Sequence, residues 1–167
     1  MLKAIVLSLG LVCLSASAFA LGQIPSSILS GGLVGRPAPE FNLETTSGGH
    51  KSLAEARDRK RSIIIFWTTW CPNCHGVLAE MRDRLDEVRQ QGINVVLVDL
   101  GETREEAADY LKRRNIDLEC FIDSDSILQE KYEIAGVPTL YFVDELGIIR
   151  GMSHEFPADL TGIFKAR

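Results

Sequence analysis

Two cysteines stand three residues apart in Trp70-Cys71-Pro72-Asn73-Cys74. At the opening of a helix that spacing puts them about one turn apart, close enough to bridge, and the first faces the unpaired amides and the positive end of the helix. A thiolate is stabilised there, which lowers its pKa from about 8.5 into a range where it is substantially ionised at neutral pH. Cys71 is then the nucleophile. It would attack a target disulfide to form a mixed disulfide, and Cys74 would attack Cys71 in turn and release the reduced target. Pro72 suits the first helical turn, where its missing amide would be unpaired anyway. Asn73 completes the active-site motif.

That chemistry needs the pair between a buried strand and a helix, and the flanking residues predict both. Ser62 to Trp67 (SIIIFW) is a β-branched and aromatic run suited to a strand buried on both faces. Val77, Leu78, Met81, Leu85 and Val88 recur at helical spacing, which predicts one helix from Pro72 to Gln91 with Gly92 as its stop. Ile93 to Leu100 reads as a second buried strand. Thr103 with Glu106 forms a capping box opening a helix to about Arg114. A strand at Leu118 to Ile122, a short helix from Asp123 to Tyr132, and a hairpin of Thr139 to Val143 with Ile148 to Gly151 around Glu145-Leu146-Gly147 follow. Alternating strands and helices closing on a hairpin predict an α/β sandwich with a central mixed sheet.

The N-terminus has another character. Lys3, the apolar run Ala4 to Leu14 and the small residues of Ala18-Phe19-Ala20 match a signal for export, so residues 1–20 are expected to be a cleaved signal peptide. Kept in place, residues 4–20 would instead be an N-terminal anchor tethering the protein to a membrane. Cys13 goes with that segment. Residues 21–34 are small, polar and Gly-rich and read as a linker, leaving 35–167 as the folded domain. An exported chain meets an oxidising compartment, where paired cysteines are structural disulfides or redox catalysts. The expected location is therefore extracytoplasmic, periplasmic, either secreted or membrane-anchored. With 18 Lys and Arg against 23 Asp and Glu, the net charge of -5 excludes the basic footprint that nucleic acid requires. Four cysteines in 167 residues are too few for a disulfide scaffold. The basic cluster Arg57, Arg59, Lys60 and Arg61, interrupted by Asp58, reads as a solvated loop before the buried strand.

Gly136-Val137-Pro138-Thr139 stands immediately before a predicted strand, and a proline that cannot donate to a sheet marks a strand start, an edge or a cis bend. Here the chain resembles the thioredoxin superfamily, and within it the exported TlpA/ResA-type thiol-disulfide oxidoreductases. The resemblance rests on GRPAPEFNL at 35–43, FWTTWCPNC at 66–74, GVPT at 136–139 and DELGIIRG at 144–151. It implies a thioredoxin fold, a central mixed β-sheet flanked by helices. It also implies a cis Pro138 lying against the cysteine pair, a Val137 backbone free to pair with an extended substrate, and Trp70 as a shield beside Cys71. Trp70, Val137 and Pro138 are thus the expected substrate-binding residues. The implied partners are proteins bearing disulfides or thiols, with an unidentified membrane or extracytoplasmic redox partner. Reduction is expected rather than oxidation, in apocytochrome c maturation or in general extracytoplasmic disulfide reduction. No cofactor is implied. Relatives place an acidic residue near the second cysteine six residues before the first cysteine or three after the second. Those positions are Ile65 and Val77 here, and Glu80 points about 120° away around the helix, so no side-chain base is evident for Cys74. A family proline in the active-site helix is replaced by Ala79, and the usual glycine before the buried strand is missing from Arg59-Lys60-Arg61.

Two other classes compete. His75 turns the motif into CxxCH, the attachment signature of c-type haem, in which Cys71 and Cys74 would form thioethers. His75 would be the proximal ligand and Met81, Met152 or His154 the other axial one. The buried strand running into the motif and the Val-Pro-Thr element are not what haem attachment requires. The second alternative is a thiol-based metal-binding module for copper or zinc built from the two thiols with His75 or His154, which lacks a defined fourth ligand. No metal is expected on the favoured reading, where His75 is a partly exposed helix residue. Cys120 reads as a buried inert thiol, Trp67 as core, and Asp99 and Asp123 at strand ends as helix caps. The residues after Met152 suggest a last short helix over the sheet.

Overall fold

The computed structural model describes residues 32–164, so the expected signal peptide or anchor at 1–20 lies outside the described residues. The chain runs β1 (Asn42–Thr45), β2 (His50–Ser52), α1 (Leu53–Arg57), β3 (Arg61–Trp67), α2 (Pro72–Asp83), α3 (Leu85–Gln90) and β4 (Ile93–Leu100). It continues as α4 (Arg104–Arg113), β5 (Cys120–Asp123), α5 (Ile127–Lys131), β6 (Thr139–Val143) and β7 (Ile149–Ser153). The strands form one mixed sheet in the order β2-β1-β5-β4-β3-β6-β7. β3 lies between β4, which is parallel to it, and β6, which is antiparallel. That central place explains its continuous apolar run, since both of its faces are covered.

Alternation along β3 divides the core. Ile63, Ile65 and Trp67 join Leu78 and Met81 of α2, Val88 of α3, and Tyr110 and Leu111 of α4. Ile64 and Phe66 face the other way, toward Leu53, Leu128, Tyr132 and Tyr141. Leu33 belongs to this second layer at 6% exposure, so packed chain begins inside the 21–34 segment read as a linker. An apolar side chain beside Phe41 closes that edge of the core, and Gly35 N–H donates to Ile149 O at 2.8 Å.

Several local expectations change. The single helix from Pro72 to Gln91 is two helices meeting at Arg84 (φ -108°). Neither glycine nor proline marks the break, which coincides with a tertiary anchor. Arg84 donates to Pro157 O at 2.7 Å and Ala158 O at 3.0 Å, and its guanidinium lies over the Phe156 ring. Residues 154–164 contain no described helix. They form an irregular strap that buries Phe156, Leu160, Ile163 and Phe164 against the first layer. The hairpin of β1 and β2 and the helix α1 were not foreseen, although Ser52 and Glu55 make a capping box visible in the sequence.

Arg57 also departs from the solvated loop. It ends α1, is 7% exposed, and donates through Nη2 to the Asp144 carbonyl. Gly147 closes the turn over it at φ +88°, where a Cβ would approach Arg57 Nη1 to 3.0 Å. Asp144 is the hub of this turn, accepting from Ile148 N at 2.9 Å and Arg150 Nε at 2.6 Å. Burial pushes its carboxyl up, but the Ile148 amide and Arg150 outweigh burial and hold it below the usual range. A depressed carboxyl contributes stability that is complete above its unfolded value near 4 and is lost as pH falls through the folded value. Asp144→Asn should therefore cost about 2 kcal/mol at neutral pH. Its urea midpoint should converge on that of the unsubstituted protein as pH falls below about 4.

Candidate active site

β3 delivers Cys71 to the start of α2 through the loop 68–70, so the CxxC pair sits where a strand buried on both faces meets a helix N-terminus. Cys71 is the N-cap, its Sγ accepting from Cys74 N at 3.2 Å, with Pro72 at the first helical position. Cys71 and Cys74 are disulfide-bonded with Cα atoms 5.3 Å apart. Cys74 is fully buried and Cys71 is 5% exposed. The Val137–Pro138 peptide is cis and brings Val137 O to 3.5 Å from Cys71 Sγ, near enough to accept from that thiol once it is reduced. Trp70 stands out at 70% exposure on the same rim, and Pro72 and Asn73 are exposed beside it. An open groove of about 810 Å³ leads away from the pair between Pro72, Asn73, Val77, Val137, Pro138 and Phe156. The loop bearing Pro138 is held by His154, whose Nδ1 lies 2.8 Å from Pro138 O, and by Thr139 Oγ1 donating to Gly136 O at 2.6 Å.

The structure adds a tether that the sequence reading missed. Glu102, in the turn after β4, accepts from both Thr69 N and Thr69 Oγ1 at 2.5 Å. His75 Nε2 lies 2.7 Å from Thr69 O, and its ring packs on Tyr110, which packs on Trp67. Thr69, two residues before Cys71, is thus gripped at N–H, hydroxyl and carbonyl. No short-range pattern signals this, because Glu102 and Thr69 are 33 residues apart.

Asp123 caps as expected, accepting from Ile127 N at 3.0 Å and Leu128 N at 2.7 Å. Asp99 caps nothing. It is fully buried at the end of β4, neither carboxyl oxygen finds a hydrogen-bond partner among the described residues, and α4 is capped by Thr103 and Glu106 instead. Burial first, then the Glu102 carboxyl beside it, pushes Asp99 up to about 8. Cys120 is free and fully buried, its thiol raised by burial first and then by Asp99.

The haem alternative meets a contrary geometry: the His75 nitrogen that would ligate iron is engaged with Thr69 O, and Met81 is buried in the core. Among the described residues no group of three or more His, Cys, Asp or Glu is placed to hold a metal ion, and no helix is long and apolar enough to cross a membrane.

A family model described as the AhpC/TSA family matches residues 34–152. The chain belongs to the AhpC/TSA family. Its curated relatives include thiol-disulfide oxidoreductases and thiol:disulfide interchange proteins. It is 32% identical over 132 residues to the thiol:disulfide interchange protein DsbE of Yersinia pestis, covering 77% of this chain and 68% of that one. It is 26% identical over 113 residues to the thiol-disulfide oxidoreductase ResA of Bacillus subtilis (strain 168), covering 68% of this chain and 63% of ResA. The fold of this AhpC/TSA member matches StoA from Bacillus subtilis at a TM-score of 0.60 and 24% identity, covering 72% of this chain and 92% of StoA. It also matches the thioredoxin domain of a Bacteroides vulgatus thiol-disulfide oxidoreductase at 0.65 and 20% identity, covering 71% and 86%. The fold is a thioredoxin fold.

Proposed function

We propose that this protein is a thiol-disulfide oxidoreductase of the ResA/DsbE type, working outside the cytoplasm as a reductant of protein disulfides. What carries the reading is the Cys71–Cys74 pair at the N-terminus of α2 with the Val137 carbonyl 3.5 Å from Cys71 Sγ. In the reduced protein the Cys71 thiolate attacks one sulfur of a client disulfide. The client S–S bond breaks, its second sulfur leaves as a thiolate and takes a proton from solvent, and a Cys71–client disulfide forms. Cys74 then loses its proton and attacks Cys71 Sγ, releasing the other client thiol. The client gains two electrons and two protons, the protein keeps the Cys71–Cys74 disulfide, and an extracytoplasmic dithiol donor must reduce it again. Trp70, Val137 and Pro138 form the client contact: the Val137 backbone pairs with an extended segment and Trp70 covers the reacting sulfur. Maturation of c-type apocytochromes is the client pathway favoured by the sequence resemblance, and the leader-like residues 1–20 support export with either cleavage or retention as a tether.

The direction is tested by equilibrating the pair against a glutathione series and counting Cys71 and Cys74 thiols by mass. A potential near that of thioredoxin, about -270 mV, is expected for a reductant. A value near about -120 mV, typical of a strong oxidant, would reverse the assignment.

A further inference from the structure

Beneath the active-site loop lies a carboxyl that the exchange chemistry does not use. Asp99 is in register with Trp67 on β3 and Ile122 on β5, so it sits in the floor of the layer that also holds Cys71 and Cys74. It is completely buried and has no hydrogen-bond partner among the described residues. Glu102, whose carboxyl acts on Asp99, spends both carboxylate oxygens on Thr69. A buried carboxyl is costly as an anion, and the Glu102 carboxyl that interacts with it favours the neutral acid as well.

We propose that Asp99 is a positioning residue for the cysteine pair, acting through Glu102: as the neutral acid it lets Glu102 hold Thr69, and as the carboxylate it loosens that hold. The proposal rests on the oxidoreductase reading and adds to it a control on how firmly the loop leading to Cys71 is placed. Asp99 has an acid of ordinary chemistry but an extraordinary setting. Through space it acts on the Cys120 thiol of β5 and is acted on by the Glu106 carboxyl of α4, while Trp67 is its neighbour on β3. Tyr110 of α4 packs on Trp67 and His75 of α2 is engaged with Thr69 O. No cation is among these groups, and the Glu102 backbone, the one group among them that favours the carboxylate, is outweighed by burial and by the Glu102 carboxyl. Loss of the proton falls near pH 8. The grip on Thr69 is therefore complete below that pH and weakens above it, taking the geometry of Cys71 with it.

The test uses the oxidised protein, in which Cys71 and Cys74 do not titrate. The Asp99 side-chain carbon and the Thr69 amide are followed by NMR from about pH 6 to 10. One shared midpoint near 8 is expected. In Asp99→Asn the Thr69 step should vanish, and in Glu102→Gln Asp99 should still titrate without Thr69 following. For the reduced protein, the ratio of Asp99→Asn to unsubstituted exchange rate should climb severalfold between about pH 7 and 9. A Thr69 step that persists in Asp99→Asn, or an Asp99 midpoint in the ordinary carboxyl range, overturns the proposal. Should Asp99→Asn fail to fold, the two midpoints in the unsubstituted protein decide by themselves. The NMR titrations need no exchange activity, so their failure is distinct from failure of the oxidoreductase reading, which would show as no client reduction at any pH.

Discussion

Cys71→Ser should remove disulfide exchange altogether, whereas Cys74→Ser should leave the protein covalently joined to its client. The asymmetry follows from burial and position. Cys71 caps α2, receives the Cys74 amide at 3.2 Å and keeps 5% exposure beside the Val137 carbonyl, while Cys74 is wholly enclosed. A client disulfide can therefore reach only the first sulfur. Serine there has a hydroxyl too weakly acidic and too poor a nucleophile toward sulfur to begin the exchange. Serine at position 74 leaves the first attack intact but removes the thiol that resolves it. Client reduction should fall to the background rate in both variants. A band of protein plus client, dissolved by dithiothreitol, should appear on non-reducing gels with Cys74→Ser alone. An active Cys71→Ser protein would refute the assignment of the nucleophile.

Phe66→Ala should cost about 3–5 kcal/mol of stability while leaving exchange by the folded molecules within about twofold. Phe66 is fully buried in β3, with its ring centroid 4.7 Å from that of Tyr132 and 6.3 Å from that of Tyr141. Truncation empties the centre of the aromatic layer, and a loss of that size is a large fraction of a total near 5–15 kcal/mol. Its neighbours Ile65 and Trp67 point through the opposite face, toward the cysteines. Urea titration reads the first effect as a lower midpoint at unchanged slope. Client reduction in the absence of urea reads the second. An exchange rate that collapsed while the protein remained folded would mean that the two faces of the sheet do not act independently.

Much of the site is local, which is why it is legible in the chain itself. The spacing of Cys71 and Cys74, the apolar run before them and the helical period after them are short-range patterns. Each of them survives in β3, α2 and the bond between the two sulfurs. The Thr103–Glu106 box is equally local and opens α4 as expected. What escaped has the opposite character. Asp99 at a strand end has the same appearance as Asp123, and only packing separates them: Asp123 meets two helix amides, whereas Asp99 is shut in beside the Glu102 carboxyl. Arg57 reads as one charge in a basic loop until Asp144 and Gly147, about ninety residues on, fold over it. Arg84 divides a helix whose period is unbroken, because its partners are in the strap after β7.

The chain by itself therefore determined the reactive dithiol, the strand and helix that present it and the α/β class, since hydrophobic period, proline placement and cysteine spacing act over a few residues. Only the tertiary structure decided how that dithiol is held. The grip on Thr69 joins the active-site loop to α2 and to the turn after β4, and the acid beneath it owes its state to burial and to Glu102. Burial and a neighbouring like charge are properties of a position in space, and segments remote along the chain create them only when the sheet has closed.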